Sequence, residues 1–399
     1  MTSSPVPIVV LASTDRTDRD ALVLTALLDA PGVVAVVHDL ERADDGDDSG
    51  SGTGLVLRRR VLGEGGLEGA LGFGSGGGPT GSRDQVVLME HACPGCALRE
   101  DAVPVVAELL EGAAESGTPL RGILLALPLG AEIFPATRTL RAALGADGPL
   151  HRARLGLTVA VADGGRVLRQ LHDGDDALLS QLSEADVVVV APAATAPGTA
   201  ADLEARRGSD VVDALRGVDS HRCDDTCEPW LTHALAGEHD DIALETANDP
   251  VTLGAGRGFA VAGTAPDGAR VAESGAWSIQ LRSDRPFHPD RLMARITDLA
   301  GERTVSRGRF WLPNRPDAVC GWEATGGTVC VGVAGPWEDT APETLLVVVG
   351  TGDGRERLRR AFDEVLVTDE EIAAGAASWL GRHDPLATYL GDPADLYRS

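Results

Sequence analysis

The chain contains no lysine; all of its 35 basic side chains other than histidine are arginine. Any mechanism that needs a compact ammonium at one point is excluded, because a planar guanidinium replaces it poorly there. Aromatic residues are scarce, at 4% of 399 residues, so the cores must be built from Ala, Val and Leu. Cations are outnumbered by 61 acidic residues, and the formal net charge is -26. Such a surface argues against generic nucleic-acid binding, which needs cations to displace phosphate counterions. Its ordinary consequence is solubility. No apolar run reaches the 18 residues of a membrane span, and the first residues show no basic-then-apolar signal, so a cytoplasmic protein with no membrane contact is expected. Its six cysteines are then expected as thiols or ligands rather than disulfides.

What is present has the rhythm of an α/β protein. Ile8, Val9, Val10 and Leu11 predict a buried strand, residues 21–28 a helix with Asp20 as its N-cap, and residues 33–38 a second strand. Strand, loop, helix and strand in that order predict a parallel sheet. Acidic and Gly-rich low-complexity runs interrupt it over residues 43–83, which read as a flexible insertion. Within it, residues 55–62 predict a short strand carrying Arg58, Arg59 and Arg60 on a solvated edge. Further apolar strands follow at 85–89, 123–127, 155–162 and 187–190, giving one domain over residues 1–262. A second begins near Ala276 and mixes strands with helices at 289–299 and 355–365. That order predicts an α+β ferredoxin-like layer over residues 276–380, with a tail at 381–399.

Two cysteine pairs stand out. Cys93 and Cys96 form a C-x-x-C between a strand and a helix, with His91 two residues upstream. Two thiolates fill half of a tetrahedral zinc shell, and the same spacing also serves redox thiols. Cys223 and Cys227 follow His221 at C-x-x-x-C spacing, with Asp224 and Asp225 between them. Four cysteines from two loops could close one all-thiolate zinc site. Cys320 and Cys330 flank predicted strands and are expected in the core.

Four stretches resemble one family. Cys96-Ala97-Leu98-Arg99-Glu100-Asp101 is similar to the end of the C-x-C-C-T-L-R-E-D signature of CobW-like metallochaperones, a branch of the P-loop GTPases. Arg285-Pro286-Phe287-His288-Pro289-Asp290-Arg291-Leu292 resembles the opening of their C-terminal domain. Ser306-Arg307-Gly308-Arg309-Phe310-Trp311-Leu312-Pro313-Asn314-Arg315-Pro316 resembles its K-G-x-x-W-L-A-T-R-P run, and Leu366-Val367-Thr368-Asp369-Glu370-Glu371 its L-L-T-D-x-E. The resemblance implies a P-loop-like parallel sheet followed by a CobW C-terminal domain, zinc at Cys93 and Cys96, which spacing alone extends to Cys223 and Cys227, and a protein client. By analogy with relatives that serve ribosome hibernation, it also suggests a ribosome-associated role under zinc limitation.

The nucleotide motifs depart from that pattern. The family's Gly-rich loop wraps phosphates with backbone N–H groups, and its lysine reaches the outer ones. Here Thr14-Asp15-Arg16-Thr17-Asp18-Arg19-Asp20 has neither, and the lysine position falls on Arg19 or Asp20. Each carboxylate facing a phosphate at about 4 Å costs roughly 4 kcal/mol at an effective dielectric near 20. The guanine-reading N-K-x-D is replaced by Ala191-Pro192-Ala193-Ala194, and the Mg²⁺-side carboxylate after the strand at 123–127 is absent. The expectation is a zinc-binding chaperone or zinc-responsive adaptor that has lost normal GTP hydrolysis, with GTP not expected as its cofactor. The alternatives are an active GTP-dependent chaperone with an atypical loop, and a thiol oxidoreductase using Cys93 and Cys96.

Overall fold

The computed structural model describes residues 4–42, 55–63, 82–87, 93–217, 219–243, 263–264, 269–337, 340–379 and 382–391. The expected insertion falls largely outside them, as do His91 and residues 392–399 of the tail. The chain divides into two compact units, one of Met1–Asp163, Ala177–Pro192 and Asp219–Ala243, the other of Gly164–Asp176, Ala193–Val218 and Leu244–Ser399.

In the first unit, β1 (Val6–Ser13), α1 (Arg16–Asp29) and β2 (Val33–Arg42) form the expected βαβ opening. β3 (Leu55–Leu62) and β4 (Ser82–Val87) follow. Next comes a helical turn Pro94–Cys96, a π turn Ala97–Ala102 and α2 (Val103–Ser116). β5 (Gly122–Ala126), α3 (Ile133–Ala143), β6 (Ala153–Leu155) and β7 (Val159–Asp163) continue the chain. α4 (Val167–His172) belongs to the second unit; α5 (Asp176–Glu184) leads into β8 (Val187–Ala191). α6 (Ala200–Leu215) is again part of the second unit, whereas β9 (His221–Cys223) and α7 (Trp230–Ala236) return to the first.

The sheet runs β4-β3-β2-β5-β1-β7-β8-β9, with β6 also paired to β1. From β2 to β9 the pairings are parallel, while β3 and β4 are added antiparallel. The unbroken apolar runs explain the parallel part: β5 and β8 are buried along their whole length, as central strands covered on both faces must be. Helix α1 presents Leu22, Val23 and Ala26 to this core at helical spacing.

The second unit carries an antiparallel sheet of β10 (Gly263–Thr264), β11 (Arg270–Val271), β12 (Ala276–Ser283), β13 (Thr304–Leu312), β14 (Arg315–Thr325), β15 (Thr328–Pro336) and β16 (Thr344–Thr351). Its order is β10-β11-β12-β16-β13-β14-β15. Helices α8 (Pro289–Ala300) and α9 (Arg355–Val365) bury Leu292, Leu299, Leu358 and Phe362 in one core with Phe287, Phe310 and Trp322. An α/β sheet followed by an α+β layer is the expected fold class. Cys320 is buried in that core as expected, but Cys330 is exposed, because it lies on the edge strand β15 where alternate residues face outward.

Candidate functional site

The carboxyl ends of β1 and β5 are where an open α/β sheet ordinarily receives a ligand. Here only Thr14 and Asp15 separate β1 from α1. The turn is locked from within. The Ser13 hydroxyl donates to the Asp15 carbonyl at 2.9 Å and accepts the Asp15 N–H at 3.0 Å. Asp15 caps α1, its carboxylate accepting the N–H groups of Thr17 at 2.8 Å and Asp18 at 3.1 Å. Those N–H groups are the ones a helix start would offer to a phosphate. The chain after β5 closes over the same edge: Leu127 N–H donates to Leu11 O at 2.9 Å and Gly130 N–H to Ser13 O at 3.0 Å. Gly130 sits at φ +73°, a left-handed turn that glycine enters without a Cβ penalty.

Arg19 lies fully buried beneath this turn. Its guanidinium donates to His38 O at 3.1 Å and Leu127 O at 3.4 Å, and pairs with Asp39 at 2.8 Å and Asp20 at 3.0 Å. Asp39, itself buried, also meets Arg16 and Arg60, each at 3.3 Å. Arg58, Arg59 and Arg60 are therefore not a solvated edge. Each is paired, to Glu41 at 2.9 Å, Asp101 at 2.5 Å and Asp20 at 3.2 Å respectively. Their antiparallel register on β3 places them beside the acidic end of β2.

Cys93 is the N-cap of the turn Pro94–Cys96, its sulfur accepting the Cys96 N–H at 3.2 Å. The two sulfurs lie 2.9 Å apart, with Cys93 exposed and Cys96 buried. Hydrogen bonding from the Cys96 thiol, then from its backbone N–H, lowers the Cys93 pKa; the same contact followed by burial raises that of Cys96. The pair is thus asymmetric, one sulfur biased toward thiolate and open to solvent, the other anchored. Cys96 and Ala97 pack on Leu57, with Leu40 and Val87 alongside.

The second pair does not join the first. Cys223 is on β9, at the far edge of the sheet, while Cys96 sits at the β3 end. Six inter-strand steps separate them, roughly 29 Å at about 4.8 Å each. Cys223 is buried in the core with Val189 and Trp230, and burial, helped by Glu228 and Asp224, pushes its thiol up to about 11. Cys227 is exposed in the following loop, where its N–H donates to Asp225 at 3.0 Å. His221 packs against His233, ring centroids 4.5 Å apart. A four-cysteine site drawn from both pairs is not assembled, because strand order puts them on opposite edges. Among the described residues no three or more His, Cys, Asp or Glu side chains gather as a metal shell.

The motif residues of the second unit hold structure. Phe287 stacks among Phe310 and Phe362, each with ring centroids 5.5 Å away. The His288 ring meets Trp379 edge-on at 5.1 Å. Buried Arg315 ties the end of the described chain, pairing with Asp384 at 2.6 Å and donating to Gly391 O at 2.6 Å. Thr368 and Glu371 form a reciprocal capping box at Asp369–Ala373. Burial opposes charge on Glu371, but hydrogen bonds from Arg291 and Thr368 outweigh it and bring the carboxyl to about 2.

Sequence reasoning missed two buried histidines. His38 lies 2.7 Å from Asp101, and His239 lies between Asp186 at 2.7 Å and Asp241 at 3.1 Å. An acid at the end of the Leu98-Arg99-Glu100-Asp101 run was the only signal for the first; none marked the second.

Residues 276–366 match the cobalamin synthesis protein cobW C-terminal domain. The zinc chaperone Rv0106 of Mycobacterium tuberculosis H37Rv is 29% identical over 141 residues, covering 29% of this chain and 35% of that protein. The uncharacterized protein Mb0109 of Mycobacterium bovis matches to the same extent. The chain thus spans about a third of the length of these curated relatives, 35%. The crystal structure of Zn(II)-bound YjiA GTPase from E. coli aligns over 91% of this chain and 99% of its own, at 14% identity and a TM-score of 0.35, too low to carry an inference. No described helix is long and apolar enough to cross a membrane.

Proposed function

We propose that the chain, whose residues 276–366 match the cobalamin synthesis protein cobW C-terminal domain, is a CobW-like protein that handles zinc as cargo at Cys93 and Cys96 and does so without binding or hydrolysing GTP. One observation carries the second half. The β1–α1 turn has two residues, and Asp15 already occupies the N–H groups that a phosphate would use. A phosphate-wrapping loop needs a run of backbone N–H groups and a cation that is free to reach outward. Arg19 instead donates to Asp20 and two carbonyls and ion-pairs with Asp39.

The thiol half rests on chemistry. Cys93 and Cys96 supply two soft donors, one exposed and biased toward thiolate, which suits a cation that must enter and leave. Two protein donors leave half of a tetrahedral shell to a client or to other groups, as transfer requires.

Two measurements on the full chain test the reading. Equilibrium titration with a fluorescent GTP analogue should give no saturation below millimolar concentration; sub-millimolar affinity sinks the nucleotide claim. Zinc bound per chain should fall for Cys93→Ser and stay at the wild-type value for Cys223→Ala. Equal retention in both variants would move the metal away from the C-x-x-C.

A further inference from the structure

We propose that His38, Arg59 and Asp101 form a buried clamp that positions the Cys93–Cys96 pair. The inference rests on the reading that this pair holds the metal, and its test separates the two.

His38, Arg59 and Gln85 make one rung across three strands, His38 opposite Arg59 on β2–β3 and Arg59 opposite Gln85 on β3–β4. Directly opposed residues share a face of the sheet. Asp101 sits on that rung. Its Oδ2 lies 2.7 Å from His38 Nε2, its Oδ1 accepts from Arg59 Nη1 at 2.5 Å, and the other Arg59 nitrogen reaches Gln85. His38 and Asp101 are almost wholly buried, at 1% and 4% exposure.

Asp101 belongs to the six-residue π turn that follows Cys96 directly. Such turns are rare in helices and concentrate at functional positions. The apolar support of the thiol turn comes from Cys96 and Ala97 on Leu57, with Leu40 and Val87 at the side, and from buried Leu98 and Ala102. The polar anchor of that segment is the Asp101 carboxylate, held by charge-assisted hydrogen bonds in a dry setting. The clamp also reaches the closed turn, since the His38 carbonyl accepts from Arg19. The thiols are thus fixed to the same rigid region as the Arg19–Asp39 pair, which makes the site a standing one.

The test compares full-length wild type with His38→Gln and with a paired Asp101→Asn, Arg59→Gln variant, which replaces both charges by neutral amides. Zinc affinity is read by competition with a chromophoric chelator. On metal-free protein, closure of Cys93 and Cys96 to a disulfide is equilibrated against oxidised dithiothreitol, which accepts the two electrons and two protons released as the sulfurs join. Both variants should weaken zinc by about 10-fold or more, the usual effect of losing an outer support, and shift the closure equilibrium by a similar factor. Far-UV circular dichroism should stay that of the wild type. Folded variants with unchanged affinity and closure overturn the proposal. So does loss of the wild-type spectrum in both, because the residues would then hold the fold and not the pair. Wild type without thiolate-bound zinc defeats the metal reading alone; a shift in closure would still support the clamp.

Discussion

Replacing Arg19 by methionine removes, among the described residues, the one wholly buried cation at the strand ends of the first sheet, where it meets four acceptors. Breaking a buried pair by deleting one partner costs about 3–5 kcal/mol, most of it the penalty on the charge left behind. Asp39 is not left wholly alone here. Arg16 and Arg60 remain at 3.3 Å, but their side chains are 50% and 27% exposed and screened accordingly. Their presence lowers the expected loss for Arg19→Met to about 2–3 kcal/mol. A paired Arg19→Met, Asp39→Leu variant should recover most of that loss, since two apolar side chains can replace a buried ion pair at little cost. Hydrogen exchange at β1, β2 and β5 amides reports the local opening free energy without requiring both units to unfold together. The single variants and the pair form a double-mutant cycle whose coupling isolates the Arg19–Asp39 contact. A loss below about 1 kcal/mol for Arg19→Met, with no coupling to Asp39, would refute the view of a self-filled turn.

Two further outcomes follow from the same geometry. Asp15→Ala removes the α1 cap and should cost about 1 kcal/mol in unfolding experiments, without creating affinity for a fluorescent GTP analogue; binding in this variant would mean that Asp15 alone blocks the phosphate. Burial opposes charge on His239, but hydrogen bonding to Asp186 and the charges of Asp186 and Asp241 outweigh it, so its folded pKa is raised. That contribution is fully present below the unfolded value near 6.5 and is lost as pH rises through the folded one. Wild type should therefore lose more stability than His239→Gln between about pH 6.5 and alkaline pH, and parallel pH profiles would contradict the Asp186–His239–Asp241 bridge.

The fold class is readable because it depends on local pattern. The runs at Ile8, Val9, Val10 and Leu11 and at Val187, Val188, Val189 and Val190 are buried strands, since nothing but a two-sided core can accept such runs. The start of α1 is not readable to the residue. Asp20 has the chemistry of a cap, yet Asp15 accepts the N–H groups, which extends the helix over Arg16–Asp29 and shortens the turn to two residues. Cysteine spacing reveals the C-x-x-C but carries no sheet order, and it is sheet order that separates Cys96 from Cys223. The His38–Asp101 contact spans 63 residues and depends on β3 pairing antiparallel to β2, a register that no local signal encodes.

The missing lysine has a structural counterpart in what Arg19 does. An ammonium offers three donors at a single point, whereas the guanidinium fork distributes five in a plane. Arg19 uses that spread to reach two carbonyls from different strand ends and two carboxylates at once. A lysine in its place could satisfy neither the same set nor the same burial. At the position to which the family resemblance assigns either Arg19 or Asp20, the first is turned inward and the second is its partner. Both residues that could have faced a phosphate are therefore engaged with each other. The cation of the closed turn is matched within the chain by Asp39 and Asp20.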